Sequence, residues 1–125
     1  MQRDDLVVLA VDDDMINLKL LKSMLKKSGK VKEVIEANNG SDAIGELKSR
    51  DDIDLILLDI IMPIMGGIDM LKVVRADDNL RQLPIIVLTT DETKKVEALE
   101  CGANGFLMKP IRNEELLKKI ATVIL

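Results

Sequence analysis

Unbroken or nearly unbroken apolar runs of strand length alternate along this chain with segments whose apolar residues recur every three or four positions. Leu6–Val11 is the first such run, six residues of Leu, Val and Ala, and residues 53–58 and 84–89 supply two more. Residues 31–37 and 105–108 are shorter strand candidates. Between them lie residues 15–28, with Ile16, Leu20, Leu21, Met24 and Leu25 at helical spacing, and residues 41–49, packing through Ile44 and Leu47. Residues 68–76 present Leu71 and Val74, and residues 94–100 present Val96 and Leu99 before a stop at Gly102. Asn113 is expected to cap a last helix running to Leu125, with Glu114 and Glu115 four residues ahead of Lys118 and Lys119.

Strands that are apolar throughout belong to a parallel sheet covered on both faces. Five strands alternating with five helices predict a doubly wound α/β fold with right-handed crossovers. No repeat, low-complexity stretch or linker interrupts the pattern, so residues 1–125 read as one domain. With 47% hydrophobic and 32% charged residues the composition is that of a globular protein. The longest apolar run, six residues, is too short for a membrane span or a secretory segment, which points to the cytoplasm. A net charge of −4 gives no footprint for direct nucleic-acid binding.

Two absences narrow the chemistry. There is no histidine, hence no imidazole ligand, no Ser-His or Cys-His nucleophile and no internal phosphohistidine donor. The single cysteine, Cys101, allows no internal disulfide and reads as packing at the end of a helix. Phe106 is the only aromatic residue, which argues against base-stacking platforms and aromatic cages.

In a doubly wound sheet, ligands bind outside the carboxyl ends of the strands. Those ends carry Asp12, Asp13 and Asp14 after the first strand, Asp59 after the third, Thr89 and Thr90 after the fourth, and Lys109 after the fifth. Asp14 directly precedes a helix and is equally well read as its cap. Asp59 is different, because it sits inside Leu-Ile-Leu-Leu-Asp-Ile-Ile-Met-Pro, where an unpaired acid is costly to desolvate. Two carboxylates about 4 Å apart repel by roughly 4 kcal/mol near a protein surface. One lysine offsets only part of that. A hard dication is the natural remedy, and Mg²⁺ prefers one or two carboxylates, waters and a phosphate oxygen. With the metal, Asp59 becomes a carboxylate nucleophile able to form an aspartyl-phosphate. Mg²⁺, the Lys109 ammonium, and the Thr89 hydroxyl with the Thr90 N–H would each take one phosphoryl oxygen.

Leu-Ala-Val-Asp-Asp-Asp-Met-Ile-Asn (9–17), Leu-Ile-Leu-Leu-Asp-Ile-Ile-Met-Pro (55–63), Pro-Ile-Ile-Val-Leu-Thr-Thr (84–90) and Gly-Ala-Asn-Gly-Phe-Leu-Met-Lys-Pro (102–110) stand in order along the chain. Together they resemble the response-regulator receiver domains of two-component signalling, over essentially the whole length. The resemblance implies a flavodoxin-like (βα)5 fold with strand order 2-1-3-4-5. It implies that Asp59 is the phosphoryl acceptor. Asp13 would be a direct ligand of Mg²⁺ (or Mn²⁺), Asp12 would act mostly through water while pairing with Lys109, and the Ile61 carbonyl would be a further ligand. Thr89 and Phe106 match a hydroxyl–aromatic switch pair, although Phe106 also reads as plain core filling, and the Lys109–Pro110 bond is expected to be cis. The implied partners are a sensor histidine kinase or histidine phosphotransfer protein, and an output partner or fused effector reached through the fourth helix, fifth strand and fifth helix. Lys94, Lys95, Glu97, Arg112 and Lys118 lie on that surface. The chain would be a stand-alone regulator or a receiver from a longer protein, catalysing only its own phosphorylation and dephosphorylation.

Three other readings are disfavoured. A phosphatase of the haloacid-dehalogenase type needs a second Asp two residues after its nucleophile, and Ile61 stands there. A flavodoxin-like cofactor module cradles phosphate on hydroxyls and glycines, whereas three acids would repel it. A scaffold-only receiver usually lacks an acid or the lysine, and all are present here. One departure from the family pattern is Gly66-Gly67 where relatives often carry Asp-Gly, which removes a helix-capping acid and is expected to loosen that loop. Ile61 and Asp91 occupy positions where relatives tune dephosphorylation, the first hindering water and the second able to orient it.

Overall fold

Every residue of β1 (Leu6–Val11) is buried, as a strand packed on both faces requires. The computed structural model describes residues 4–124. After β1 come α1 (Met15–Lys27), β2 (Val31–Ala37), α2 (Gly40–Ser49), β3 (Leu55–Asp59), α3 (Gly67–Ala76) and β4 (Ile85–Thr89). A 3-10 turn (Glu92–Lys94), α4 (Lys95–Glu100), β5 (Gly105–Met108) and α5 (Asn113–Ile124) complete the chain. The five strands form one parallel sheet in the order β2-β1-β3-β4-β5, the order expected of a flavodoxin-like receiver fold.

Successive side chains of a strand point to opposite faces, so each central strand feeds two cores. Leu6, Val8, Ala10, Leu55, Leu57, Ile86 and Leu88 meet Leu18, Leu21 and Leu25 of α1 and Leu116 and Ile120 of α5. On the other face Val7, Leu9, Val11, Ile56, Leu58, Ile85 and Val87 meet Ala43 and Leu47 of α2, Met70, Leu71 and Val74 of α3, and Ala98 of α4. The chain leaves β1 toward one edge, returns at β3 and then runs toward the other edge. The strand order therefore switches between β1 and β3, and in sheets of this kind ligands bind above the carboxyl ends at such a switch. No helix among the described residues is long and apolar enough to cross a membrane.

Several boundaries and faces differ from expectation. β3 starts at Leu55 because Asp54 is spent on a clamp to β1: its amide donates to the Val7 carbonyl (2.8 Å) and its Oδ2 accepts from the Val7 amide (2.9 Å). β4 starts at Ile85, since Pro84 has no N–H to give a ladder. Asn113 opens α5 from inside rather than capping it, the first helical amide bond running from Leu116 N to Arg112 O (3.0 Å). The expected end of that helix at Leu125 lies outside the described residues. Within α1 the buried face is Leu18, Leu21 and Leu25, while Ile16 and Leu20 are exposed. Within α4 only Ala98 is buried, and Val96 and Leu99 face solvent.

Candidate functional site

The register of the sheet brings four strand ends to one level: Val11 pairs with Leu58, Asp59 with Leu88, and Thr89 with Met108. The residues that end or follow those strands must therefore converge. Asp12 and Asp59 are buried and Asp13 is exposed, and the three offer carboxylate oxygens that all lie within 4.8 Å of one another. The Lys109 Nζ reaches across from β5 to Asp12 Oδ2 at 2.8 Å and to Asp59 Oδ2 at 3.5 Å. Sequence reasoning placed these four side chains together, with Asp12 as the lysine's partner, and the geometry agrees. The Lys109–Pro110 peptide is cis, as expected.

Backbone bonds fix how the two buried carboxylates, Asp12 and Asp59, point. Asp12 Oδ1 accepts from the Asp14 amide (2.9 Å), and Asp59 Oδ1 accepts from the Ile60 amide (2.9 Å). Each acid thus has one oxygen held by backbone and the other turned to Lys109. Burial pushes the Asp59 carboxyl above its ordinary range. Lys109 opposes that shift, and the negative charge of Asp12 adds to it. Three carboxylates against one ammonium give this cluster a formal charge of −2, with two of the acids buried. An all-oxygen donor set with that surplus suits a hard dication such as Mg²⁺.

Asp14 does not join the cluster. It caps α1, its Oδ1 accepting from Ile16 N at 2.9 Å, so the capping reading holds for this acid. Thr89 is buried at the end of β4. Its hydroxyl accepts the Asp91 amide at 3.2 Å, and its carbonyl accepts the Lys109 amide at 2.8 Å. Thr90 is exposed beside it. Phe106 is half-buried on β5, paired in register with Val87 and packed against the core under α2, α3 and α4 rather than among the acids. The Ile61 side chain is exposed at the mouth, two residues past Asp59. Asp91 caps the 3-10 turn through Thr93 N (3.0 Å), and bonding to Thr93 holds its carboxyl below the ordinary range.

Gly66 gives α3 no side-chain cap, as the sequence implied, and backbone bonds hold the loop from Ile60 to Gly67. Gly67 N donates to Ile60 O (2.8 Å), Gly40 N to Met65 O (2.9 Å) and Met65 N to Pro63 O (2.7 Å). A Cβ on Gly67 would lie 2.3 Å from the Asp59 carbonyl oxygen, so the glycine is there for a close approach to the strand end. Ile64 takes φ +67 with its side chain almost fully exposed, an uncommon backbone for a β-branched residue. A glycine pair at a helix start was the only sequence signal of this contact, and composition alone reads it as looseness.

Comparison with known proteins agrees with this geometry. The family described as "Response regulator receiver domain" matches residues 8–121. The chemotaxis protein CheY1 of Helicobacter pylori (strain J99 / ATCC 700824) is 34% identical over 119 residues, 94% of this chain and 95% of that protein. The transcriptional regulatory protein CpxR of Escherichia coli (strain K12) is 40% identical over 119 residues, which span 94% of this chain but 48% of CpxR. Among solved structures, the receiver domain of the sensor histidine kinase PA1611 from Pseudomonas aeruginosa PAO1 has a magnesium ion coordinated in its active-site cleft. It superimposes with a TM-score of 0.86 at 28% identity, covering 95% of this chain and 97% of that one.

Proposed function

The chain belongs to the response regulator receiver domain family of two-component systems, and from that membership we propose that Asp59 accepts a phosphoryl group with Mg²⁺ held beside it. The observation that carries the reading is the Lys109 ammonium bridging Asp12 and Asp59 in a crevice that keeps two surplus negative charges. Asp13, Asp59 and the Ile61 carbonyl would hold the ion directly and Asp12 mostly through water. When bound, Mg²⁺ supplies the charge that offsets the carboxylates and the phosphoryl oxygens.

The donor would be a phosphohistidine outside these residues, since none of the 125 is a histidine. The Asp59 carboxylate attacks phosphorus in line. An O–P bond forms while the donor's N–P bond breaks, and its electron pair stays on the imidazole nitrogen. The Ile60 amide and Lys109 orient the carboxylate, which is positioning of the kind that dominates phosphoryl transfer. Lys109 then takes one phosphoryl oxygen, and the Thr89 hydroxyl with the Thr90 N–H takes another. To do so the hydroxyl leaves the Asp91 amide, Phe106 turns inward behind it, and the α4-β5-α5 face repacks for an output partner or effector. Support for a movable face is that α4 buries only Ala98 and that the ion pair from Lys94 of the 3-10 turn to Glu97 of α4 is solvent-exposed, of the kind worth little. The exposed Ile61 side chain would slow the attacking water, and Asp91, held by Thr93, would orient it less freely.

Beryllofluoride with Mg²⁺, titrated calorimetrically because the chain has no Trp or Tyr to report by fluorescence, tests the proposal. One equivalent should bind only when Mg²⁺ is present and not at all to Asp59→Asn. Absence of binding, or equal binding by the variant, would favour an interaction scaffold that never takes phosphate. Asp13→Ala should keep the fold, because the side chain is exposed, yet lower Mg²⁺ affinity by at least about tenfold. Unchanged affinity would remove Asp13 from the ligand set.

A further inference from the structure

At the end of the sheet away from the acids, one side chain ties four segments together. Arg75, in the last turn of α3, donates from Nε to Gly102 O (3.0 Å) and from Nη1 to Arg81 O (3.0 Å) and Leu83 O (2.8 Å). Its Nη2 donates to Asn104 Oδ1 at 2.8 Å. Asn104 in turn accepts the Ile85 amide (2.9 Å) with the same oxygen and gives its own amide to Ile85 O (2.8 Å). The end of α3, the loop before β4, the start of β4 and the turn between α4 and β5 are thus joined by one guanidinium. Only its planar fork can serve acceptors spread this widely.

The attachment at Gly102 falls on the stop of α4. Gly102, at φ +106, closes the helix with its amide on Leu99 O (3.1 Å), while the Ala103 amide reaches Ala98 O (3.0 Å). A Cβ at Gly102 would meet the Arg75 side chain at 2.9 Å, so the arginine packs against the turn as well as bonding to it. The opposite end of α4 is tethered differently. There the 3-10 turn hangs on Asp91, through Thr93 N (3.0 Å) and Lys94 N (3.2 Å), and Asp91 N hangs on the Thr89 hydroxyl (3.2 Å). In between, Ala98 alone is buried. One tether depends on the hydroxyl beside the acidic crevice, whereas the other does not.

Resting on the phosphoacceptor reading above, we infer that Arg75 is a positioning residue that anchors the C-terminal end of α4. A signal begun at Thr89 therefore swings the N-terminal end of α4 about Gly102 instead of displacing the whole helix. Amide hydrogen exchange on the full chain, with and without Mg²⁺ and beryllofluoride, tests this. In the wild-type chain, loading should alter protection at residues 91–97 by at least about threefold and leave residues 101–104 unchanged. Arg75→Ala should raise exchange at residues 101–104 by about tenfold or more before loading, and loading should then disturb both ends. Arg75→Lys, which keeps the charge and loses the fork, should behave like the alanine variant. Asn104→Ala, which removes one acceptor, should loosen the same amides less.

If loading the wild-type chain changes residues 101–104 as strongly as 91–97, the anchor is refuted whatever the variants do. Full restoration by lysine would refute the role of the fork. Calorimetric binding of beryllofluoride accompanied by a uniform exchange response overturns the pivot alone. Absence of binding overturns the phosphoacceptor reading and the pivot with it.

Discussion

Asp59→Asn is expected to take no label from radiolabelled acetyl phosphate while folding normally, because asparagine matches the aspartate in shape and keeps the bond from the Ile60 amide to its side-chain oxygen. A loss of this kind is complete rather than graded, since the amide oxygen is no nucleophile. Retained labelling would move the acceptor to another residue. The same substitution has a second consequence with a definite sign. Burial and the neighbouring Asp12 raise the Asp59 carboxyl above its ordinary range despite Lys109, so the folded state holds that proton more tightly than the unfolded chain does. Ionised Asp59 therefore costs stability above its raised pKa. The cost disappears as pH falls below the ordinary carboxylate value of about 4. In Mg²⁺-free buffer the asparagine variant should melt above the wild type at pH 7, and the gap should close on acidification. A variant that melts lower at pH 7 would show that the pairing with Lys109 outweighs the desolvation.

Gly67→Ala is expected to be among the most damaging single-methyl changes in the chain. The added carbon would lie 2.3 Å from the Asp59 carbonyl oxygen and 2.8 Å from the Ile60 Cα, and neither is the far end of a flexible side chain. Backbone has to move, so the cost should reach or exceed the roughly 1–3 kcal/mol usual for overpacking. The movement falls on the peptide that carries the acceptor and on the loop that presents Ile61. Denaturant melts should show the loss of stability, and the fraction of variant still folded should label more slowly than wild type. Equal labelling per folded molecule would mean that the α3 start yields and the acceptor strand does not.

How far the sequence revealed this molecule depends on the range of the interaction in question. Runs such as Leu6–Val11 announce a strand buried on both faces by local composition alone, and acids at the ends of such runs are conspicuous because nothing apolar nearby can pair with them. Asp12, Asp13, Asp59 and Lys109 were legible for that reason. Helix faces were less so. In α1 apolar residues occupy more than one stripe, and the sequence supports a register through Ile16 and Leu20 as readily as the one through Leu18, Leu21 and Leu25 that is buried. What decides is the sheet lying beneath, a tertiary fact. Gly67 and Arg75 were out of reach for the same reason. The glycine answers to a carbonyl eight residues earlier, and the arginine to acceptors as far away as Asn104. Local pattern shows the glycine pair without its reason and holds no record of the arginine's partners.

The sheet also works as a partition. Leu57 and Leu58 are neighbours in the chain, yet one faces the compartment under α1 and α5 and the other the compartment that holds α2, α3 and α4. Interiors this dense transmit a volume change to their immediate neighbours, and a wall of hydrogen-bonded backbone stands between the two sets. Descendants of this sequence can therefore drift in one compartment without matching changes in the other. Under the proposed switch, replacements beside Ala98 would retune how readily α4 responds, while those beside Leu18 would reset only how firmly the molecule holds together.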